Sequence, residues 1–260
     1  MTVSLEAMRA QLNAAVVGAL PGIPAANELC LASVGLFGVD GAAVSMVFDG
    51  ASRGTFGSSS ETSRRLDEYQ FTFGEGPCLD AVAARVPVMV SDLDSPDGGR
   101  WPAFTGAALE EGIRGVFAMP IMVTSVCVGA LDLFREAPGP LEKDQLAGAV
   151  MAAQLASLAL LDLIAGGNPG NPGDPWHTVP DDPSGGEDAW ALLADMDRID
   201  VYQATGMLIS QLDVGPAEAL VRLRAHAIAT NQTASQVALA ILERRLVLDR
   251  DHDGTGTDHR

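Results

Sequence analysis

Cys78 stands in the run Phe73-Gly74-Glu75-Gly76-Pro77-Cys78, where two glycines imply a tight backbone that leads into a helix at Pro77. A thiol at a helix N-terminus can have its pKa lowered, which makes it reactive or turns it to a ligand. The other reading is a small buried thiol under a turn. The turn itself can present backbone amides to an anion. Gly74, Glu75, Gly76 and Cys78 are therefore the candidate ligand-binding set of the N-terminal half.

Other reactive types are sparse or badly spaced. Asp92, Asp94 and Asp97 lie close together in VSDLDSPDGGRWP, but no Glu follows at the twelfth position of a calcium loop. They read as a solvated turn with Asx caps. The four histidines are His177, His226, His252 and His259, so none lies in the first 164 residues. This argues against an imidazole-held metal or haem there, and against Cys–His or Ser–His nucleophiles. His226 follows Arg222 by four residues and reads as part of a solvated helix face. Cys30, Cys78 and Cys127 are odd in number and far apart, with no zinc or disulfide spacing, which suits a reducing compartment. No P-loop, GxSxG or HExxH pattern occurs. The expectation is no catalytic residue, no metal and no cofactor.

The C-terminal quarter offers a different chemistry. Over Met196–Leu246 the bases are Arg198, Arg222, Arg224, Arg244 and Arg245, balanced by five acids. They read either as a solvated face or as a phosphate site, and Arg222 has an i,i+4 partner in Glu218. Gly206 interrupts a good helical pattern at a cost of about 1 kcal/mol relative to Ala. It suggests close approach of a helix partner or ligand.

These residues need elements to position them. The chain has 260 residues, 47 % of them hydrophobic, enough for a real core, and a formal charge of −18. So acidic a chain does not bind nucleic acid by bulk charge. The deficit is uneven: residues 1–164 hold 19 acids and 9 bases, whereas Met196–Leu246 is neutral. A Gly/Pro/Asp-rich stretch at 165–186 reads as a flexible linker. It separates a module at 1–164 from one at 187–248, and 249–260 reads as a disordered tail.

The first module reads as mixed α and β. Helical patterns cover 4–19 and 25–37. Val44, Met46 and Phe48 alternate with Ser45, Val47 and Asp49 as a half-buried strand, and Asp49-Gly50 turns into a return strand over 51–56. A polar helix at 60–69, a short strand at 87–91 and a helix at 101–111 follow. Gly115–Val123 reads as a strand covered on both faces, with Pro120 demoting its position to an edge or bulge. Residues 126–134 form its hairpin partner. Pro140 opens a long helix to about Ile164, apolar almost all round, covered by the sheet and a neighbouring helix or by a second subunit. Its most apolar part, Val150–Ile164, reads as too short and too polar to span a bilayer. The N-terminus reads as a helix rather than a signal peptide, so the expectation is a cytoplasmic chain. The second module reads as three helices, from Trp190 to Leu212, from Pro216 to Asn231, and from a Thr233–Gln236 capping box onward.

Asp197-Arg198-Ile199-Asp200, Gln203-Ala204-Thr205-Gly206-Met207-Leu208, Pro216-Ala217-Glu218-Ala219, Leu223-Arg224, Ala227, Asn231 and Val237-Ala238 together resemble an ANTAR domain, a three-helix RNA-binding module of bacterial antiterminators. FGEGPCLDAV, PVMVSDL, RWPAF, GVFAMPIMV and VGALDLFREAPGPL resemble the GAF domains that precede ANTAR in high-GC Gram-positive bacteria. The resemblance implies an α+β fold: a GAF-like antiparallel sheet flanked by helices, followed by a three-helix module. It implies a regulator whose GAF domain binds a small molecule or dimerises, and whose paired ANTAR modules grip tandem RNA stem-loops. The RNA-contacting positions it implies are Arg198, Gln203, Ala204, Thr205, Gly206, Arg222, Arg224, Thr233 and Ser235. The family often has Lys at Thr205 and Arg near Ser235, so this chain has a smaller electrostatic share of binding. The GAF part lacks the NKxnFDE signature of cyclic-nucleotide binders and the Cys–His pair of bilin binders. The alternatives are a dimeric interaction module without RNA, and a GAF-type free methionine sulfoxide reductase, for which nothing in the sequence places the cysteines together.

Overall fold

A computed structural model describes residues 4–20, 22–48, 51–165 and 198–248. The linker expected at 165–186 (from 166 on), the helix start at 190–197, the Asp49-Gly50 turn, the tail at 249–260, and His177, His252 and His259 lie outside these. The described residues fall into two compact units, one ending at Arg198 and one beginning at Ile199.

The first unit runs α1 (Leu5–Gly18), α2 (Ile23–Phe37), β1 (Gly41–Phe48), β2 (Ala51–Ser58), α3 (Glu61–Phe73), α4 (Pro77–Ala84), β3 (Val88–Val90), a 3-10 turn, α5 (Pro102–Glu110), β4 (Gly115–Val123), β5 (Val126–Arg135) and α6 (Lys143–Ala165). The strands form one antiparallel sheet in the order β2-β1-β5-β4-β3. The two-residue side-chain period sorts the sheet into two faces. Ala42, Val44, Met46, Phe117, Met119, Leu131 and Leu133 join Leu12, Leu29, Phe37, Ala149, Ala152 and Ala156 in a core with α1, α2 and α6. The opposite face carries Ala43, Val116, Ala118 and Phe134, packed with Leu66, Leu93, Trp101 and Phe104 from the α3–α5 side.

Two expectations change, for β1 and for the start of the long helix, and the one for Pro120 is met locally. The strand β1 is buried on both faces over 41–47, because α3 and α4 cover the side that alternation assigned to solvent. Strand β4 is an interior strand, but β3 pairs only with its residues 116–118, so at Pro120 the side away from β5 is locally an edge. The long helix α6 begins at Lys143 rather than Pro140, with the Glu142 amide donating to Gln145 Oε1 at 2.8 Å. Its stretch Lys143–Leu161, which starts ahead of 150–164, is long and apolar enough to cross a membrane by length and composition alone. In the fold it lays an alanine stripe against α2 and the sheet and leaves Val150, Leu158 and Leu161 exposed. Sheet and neighbouring helices therefore cover one side only.

The second unit has α7 (Ile199–Leu212), α8 (Pro216–Ala229) and α9 (Ala234–Leu242). Val201, Ala204, Leu208, Leu223, Ala227, Val237 and Ile241 are buried. Both halves of the Thr233–Gln236 capping box form, and Asn231 takes the left-handed conformation after α8.

Strands β1 and β5 approach most closely at Gly129, where a Cβ would lie 2.1 Å from the Ser45 carbonyl oxygen. The obstacle is backbone and cannot swing aside. Gly129→Ala is expected to lower stability to urea by about 1–3 kcal/mol or more, the usual range for overpacking. Unchanged unfolding would contradict this register.

Candidate functional site

The candidate site is a buried polar cluster on the α3–α4 side of the sheet. Ser45 comes from β1 and Asp132 from β5, on the face that also carries Ala43 and Phe134. The residues opposite Asp132 are Ala43 on one side and Ala118 on the other, both small. Asp67, Gln70 and Phe71 come from α3, spaced so that one helix face meets the sheet. Ser45, Asp67, Gln70 and Asp132 are each 0 % exposed.

The hydroxyls of Ser45 and Thr55 both donate to Asp67, on Oδ1 and Oδ2. Ser45 Oγ is also 3.1 Å from Asp132 Oδ2. Gln70 Nε2 donates to that same Oδ2 at 2.7 Å, and Gln70 Oε1 accepts from the Cys78 amide at 2.8 Å. Asp132 Oδ1 is buried with no hydrogen-bond partner among the described residues. A hydroxyl has one hydrogen. Ser45 has one hydrogen to share between two carboxyls, so a single proton held by the pair satisfies both contacts. Burial, and then the Asp67 charge, push Asp132 up to about 7, against the opposing bonds from Gln70 and Ser45. Burial also raises Asp67, but the Arg198 guanidinium and two hydroxyl donors hold it back. Both carboxyls are therefore raised by burial, and Asp132, which has no cation beside it, is pushed up to about 7.

Arg198, the last residue of the first unit, is 4 % exposed. Its Nη2 lies 3.5 Å from Asp67 Oδ2, and its guanidinium carbon sits 3.9 Å from the Phe71 ring centroid.

The FGEGPC segment serves this cluster by shaping backbone. Gly74 caps α3 in the left-handed conformation. Gly76, at φ 148°, precedes α4, and a Cβ there would meet the Gln70 side chain at 2.4 Å. Glu75 turns away and accepts the Ala103 and Phe104 amides at 2.7 and 3.1 Å, capping α5, whose N-cap Trp101 supplies no side-chain acceptor. The anion cradle expected at this turn is corrected on two counts, because Gln70 holds the Cys78 amide and Glu75 is a helix cap. The reactive reading of Cys78 is corrected too. Its thiol is fully buried, and burial together with the charges of Asp132 and Asp67 pushes its pKa well up. Cys30 and Cys127 are also raised, chiefly by burial, and all three thiols are free. The acidic turn after β3 is closed by Arg114, which forks onto Asp92 at 2.8 and 2.9 Å and approaches Asp94 at 3.4 Å.

The nine ANTAR-type positions divide by exposure. Arg198, Ala204, Thr205 and Thr233 are buried. Thr205 Oγ1 donates to the Val201 carbonyl at 2.7 Å and Thr233 caps α9, so these side chains are packing and capping groups. Gln203 and Gly206 are exposed, and Arg222, Arg224 and Ser235 are half-buried. A Cβ on Gly206 would meet nothing within 4 Å, so the close neighbour expected there is absent among the described residues. Arg222 does pair with Glu218, at 2.9 Å.

A five-stranded antiparallel sheet with three helices on one face and shorter helices over a buried polar cluster on the other defines an α+β domain. The GAF domain family matches residues 25–160, and the chain belongs to it. No curated protein matches the chain. Among solved structures it is similar to the GAF domain of a phosphoenolpyruvate-protein phosphotransferase from Coxiella burnetii, at 16 % identity over 63 % of this chain and 96 % of that one, TM-score 0.48. A domain of a two-component sensor histidine kinase protein from Sinorhizobium meliloti matches at 13 % identity, over 54 % and 90 % of the two chains, TM-score 0.44. A type II free methionine-R-sulfoxide reductase from Thermoplasma acidophilum matches at 14 % identity, over 61 % and 95 %, TM-score 0.40.

The raised Asp132 carries a definite sign. Its folded pKa of about 7 exceeds the ordinary 3.8, so the stability it contributes is complete below the ordinary value and is lost as pH rises through about 7. In urea unfolding across that window, the wild type is expected to lose stability relative to Asp132→Asn as pH rises. A constant difference between the two would show that Asp132 titrates normally.

Proposed function

We propose that the chain is a signal-responsive RNA-binding regulator of transcription antitermination. Its GAF unit senses a small molecule or brings two chains together, and its ANTAR-type unit grips tandem RNA stem-loops. The observation that carries this reading is the surface of the second unit. Of the motif positions that resemble ANTAR, Gln203 and Gly206 lie exposed one turn apart on α7, while Arg222, Arg224 and Ser235 keep part of their surface accessible. Arginine can neutralise phosphate or stack on a looped-out base. The surplus acid lies outside Met196–Leu246, which leaves this surface neutral rather than repulsive.

A single unit has few cations, so pairing two copies is part of the proposal. The helices α1, α2 and α6 expose Val17, Leu31, Val150, Leu158 and Leu161, and the α1–α2 connection exposes Leu20, an apolar set suited to a second copy of the chain. Catalysis is not part of the reading: the reductase alternative needs a thiolate, and burial disfavours one at Cys78. The exposed apolar helices support one other reading, a dimeric interaction module that binds no RNA.

An electrophoretic shift on tandem stem-loop RNA, with oligomeric state followed by ultracentrifugation, separates these. The wild-type dimer is expected to shift the RNA at low salt and release it as salt rises. Arg222→Ala and Arg224→Ala are each expected to weaken binding and flatten the salt slope by about 1. Leu158→Glu is expected to give monomers and weaker binding. A confirmed dimer that fails to bind at low salt would remove RNA from the account and leave the interaction module.

A further inference from the structure

The guanidinium of Arg198 lies in the acidic recess of the GAF unit as a ligand would lie in a receptor. We propose that this recess, formed by Asp67, Phe71, Ser45 and Asp132, is a binding site for a small molecule bearing a guanidinium group, and that Arg198 of the chain itself holds that ligand's place. The proposal rests on the sensory reading of the GAF unit and supplies the chemical class of what it senses.

Three observations converge. The first is Asp67, a wholly buried carboxylate whose two hydroxyl donors leave it still in need of a cation. A charge so placed is tolerated only when paired. The second is the geometry of its partner. The Arg198 guanidinium lies 3.9 Å from the Phe71 ring centroid while Nη2 approaches Asp67 at 3.5 Å, with the side chain 3 % exposed. Asp67 and Phe71 are one helical turn apart on α3, so ring and carboxylate form one wall. A flat, weakly hydrated cation can stack on a ring and reach a carboxylate at once, whereas an ammonium is a compact, strongly hydrated point charge. That selects guanidinium over amine. The third is Asp132, fully buried in the same network, whose Oδ1 has no partner among the described residues. It is a spare acceptor for a donor that Arg198 does not supply.

Arg198 arrives on the chain, not from the sheet or helices that build the recess. A free ligand must therefore displace a tethered competitor, and its apparent affinity is reduced by the fraction of chains whose recess is vacant. The device makes the site responsive only to a good match, and it converts ligand binding into release of the segment at Arg198.

The test is calorimetric titration of the full chain with agmatine, an aliphatic amine with one guanidinium, and with 1,4-diaminobutane as the control lacking it. Arg198→Ala is expected to bind one agmatine per chain at least about tenfold tighter than the wild type, as follows if Arg198 fills the recess about nine-tenths of the time or more. It is expected to ignore the diamine, and adding Asp67→Asn is expected to abolish binding. Arg198→Lys keeps a charge but loses the stacking plane, so it serves if the alanine variant folds poorly, and it too is expected to bind agmatine more tightly than the wild type. If neither variant gains affinity for agmatine, or if Asp67→Asn leaves binding unchanged, the proposal is overturned. A non-cationic molecule that binds the GAF unit when agmatine does not would overturn it while keeping the sensory reading. The RNA shift contains no ligand, so it reads the antitermination claim separately.

Discussion

Two carboxyl groups and one hydroxyl share too few hydrogens on the α3–α4 face of the sheet, and much of the domain is arranged around that shortage. Ser45 can donate once, and it donates to Asp67. The second contact is satisfied when the pair holds a proton, and burial and then the neighbouring negative charge push Asp132 up to about 7. The surrounding sequence follows from keeping this group dry and satisfied. Ala43 and Ala118 flank Asp132 across the sheet. Gln70 spans from Asp132 to the Cys78 amide, which ties sheet, α3 and α4 together. Gly76 must lack a side chain for that amide group to fit. Buried polar networks of this kind are worth most when fully satisfied, and here one atom, Asp132 Oδ1, is left over.

The same constraint explains the role of the FGEGPC segment. Its residue types suggest an anion cradle and an activated thiol. In the fold burial, and then the neighbouring acids, raise the thiol's pKa, Gln70 already occupies the helix N-terminus, and Glu75 is engaged at α5. An acidic recess has no use for an anion. Its chemistry is that of a cation receptor, and a guanidinium is what lies in it.

Much of the fold was legible in the sequence. Residue patterns mark every helix and strand of the first unit, α4 only by its start at Pro77. Periodicity and turn residues act locally, so they transmit this information well. The recess was not legible, for a physical reason. Ser45 sits where alternation assigns a solvent face, and only the docking of α3 and α4 makes that face interior. Asp67 and Gln70 look like ordinary polar residues of a surface helix. The one signal present was Asp132, a lone acid within the apolar run Val128–Phe134. An acid in a strand covered on both faces cannot be solvated, so it must be paired or protonated. In the second unit the capping box and the α8 boundaries were legible, whereas burial of Ala204, Thr205 and Thr233 depends on how three helices pack, which motif spacing does not encode.

Asp132 holds a proton where an ordinary aspartate would not, because burial and the Asp67 charge push it up to about 7. Carboxyl carbon NMR of the folded chain, with signals assigned through Asp67→Asn and Asp132→Asn, tests it directly. At about pH 5.5, between the ordinary aspartate value of about 3.9 and the value of about 7 at this site, the Asp132 carboxyl is expected to be protonated. Two ionised carboxylates at that pH would contradict the account.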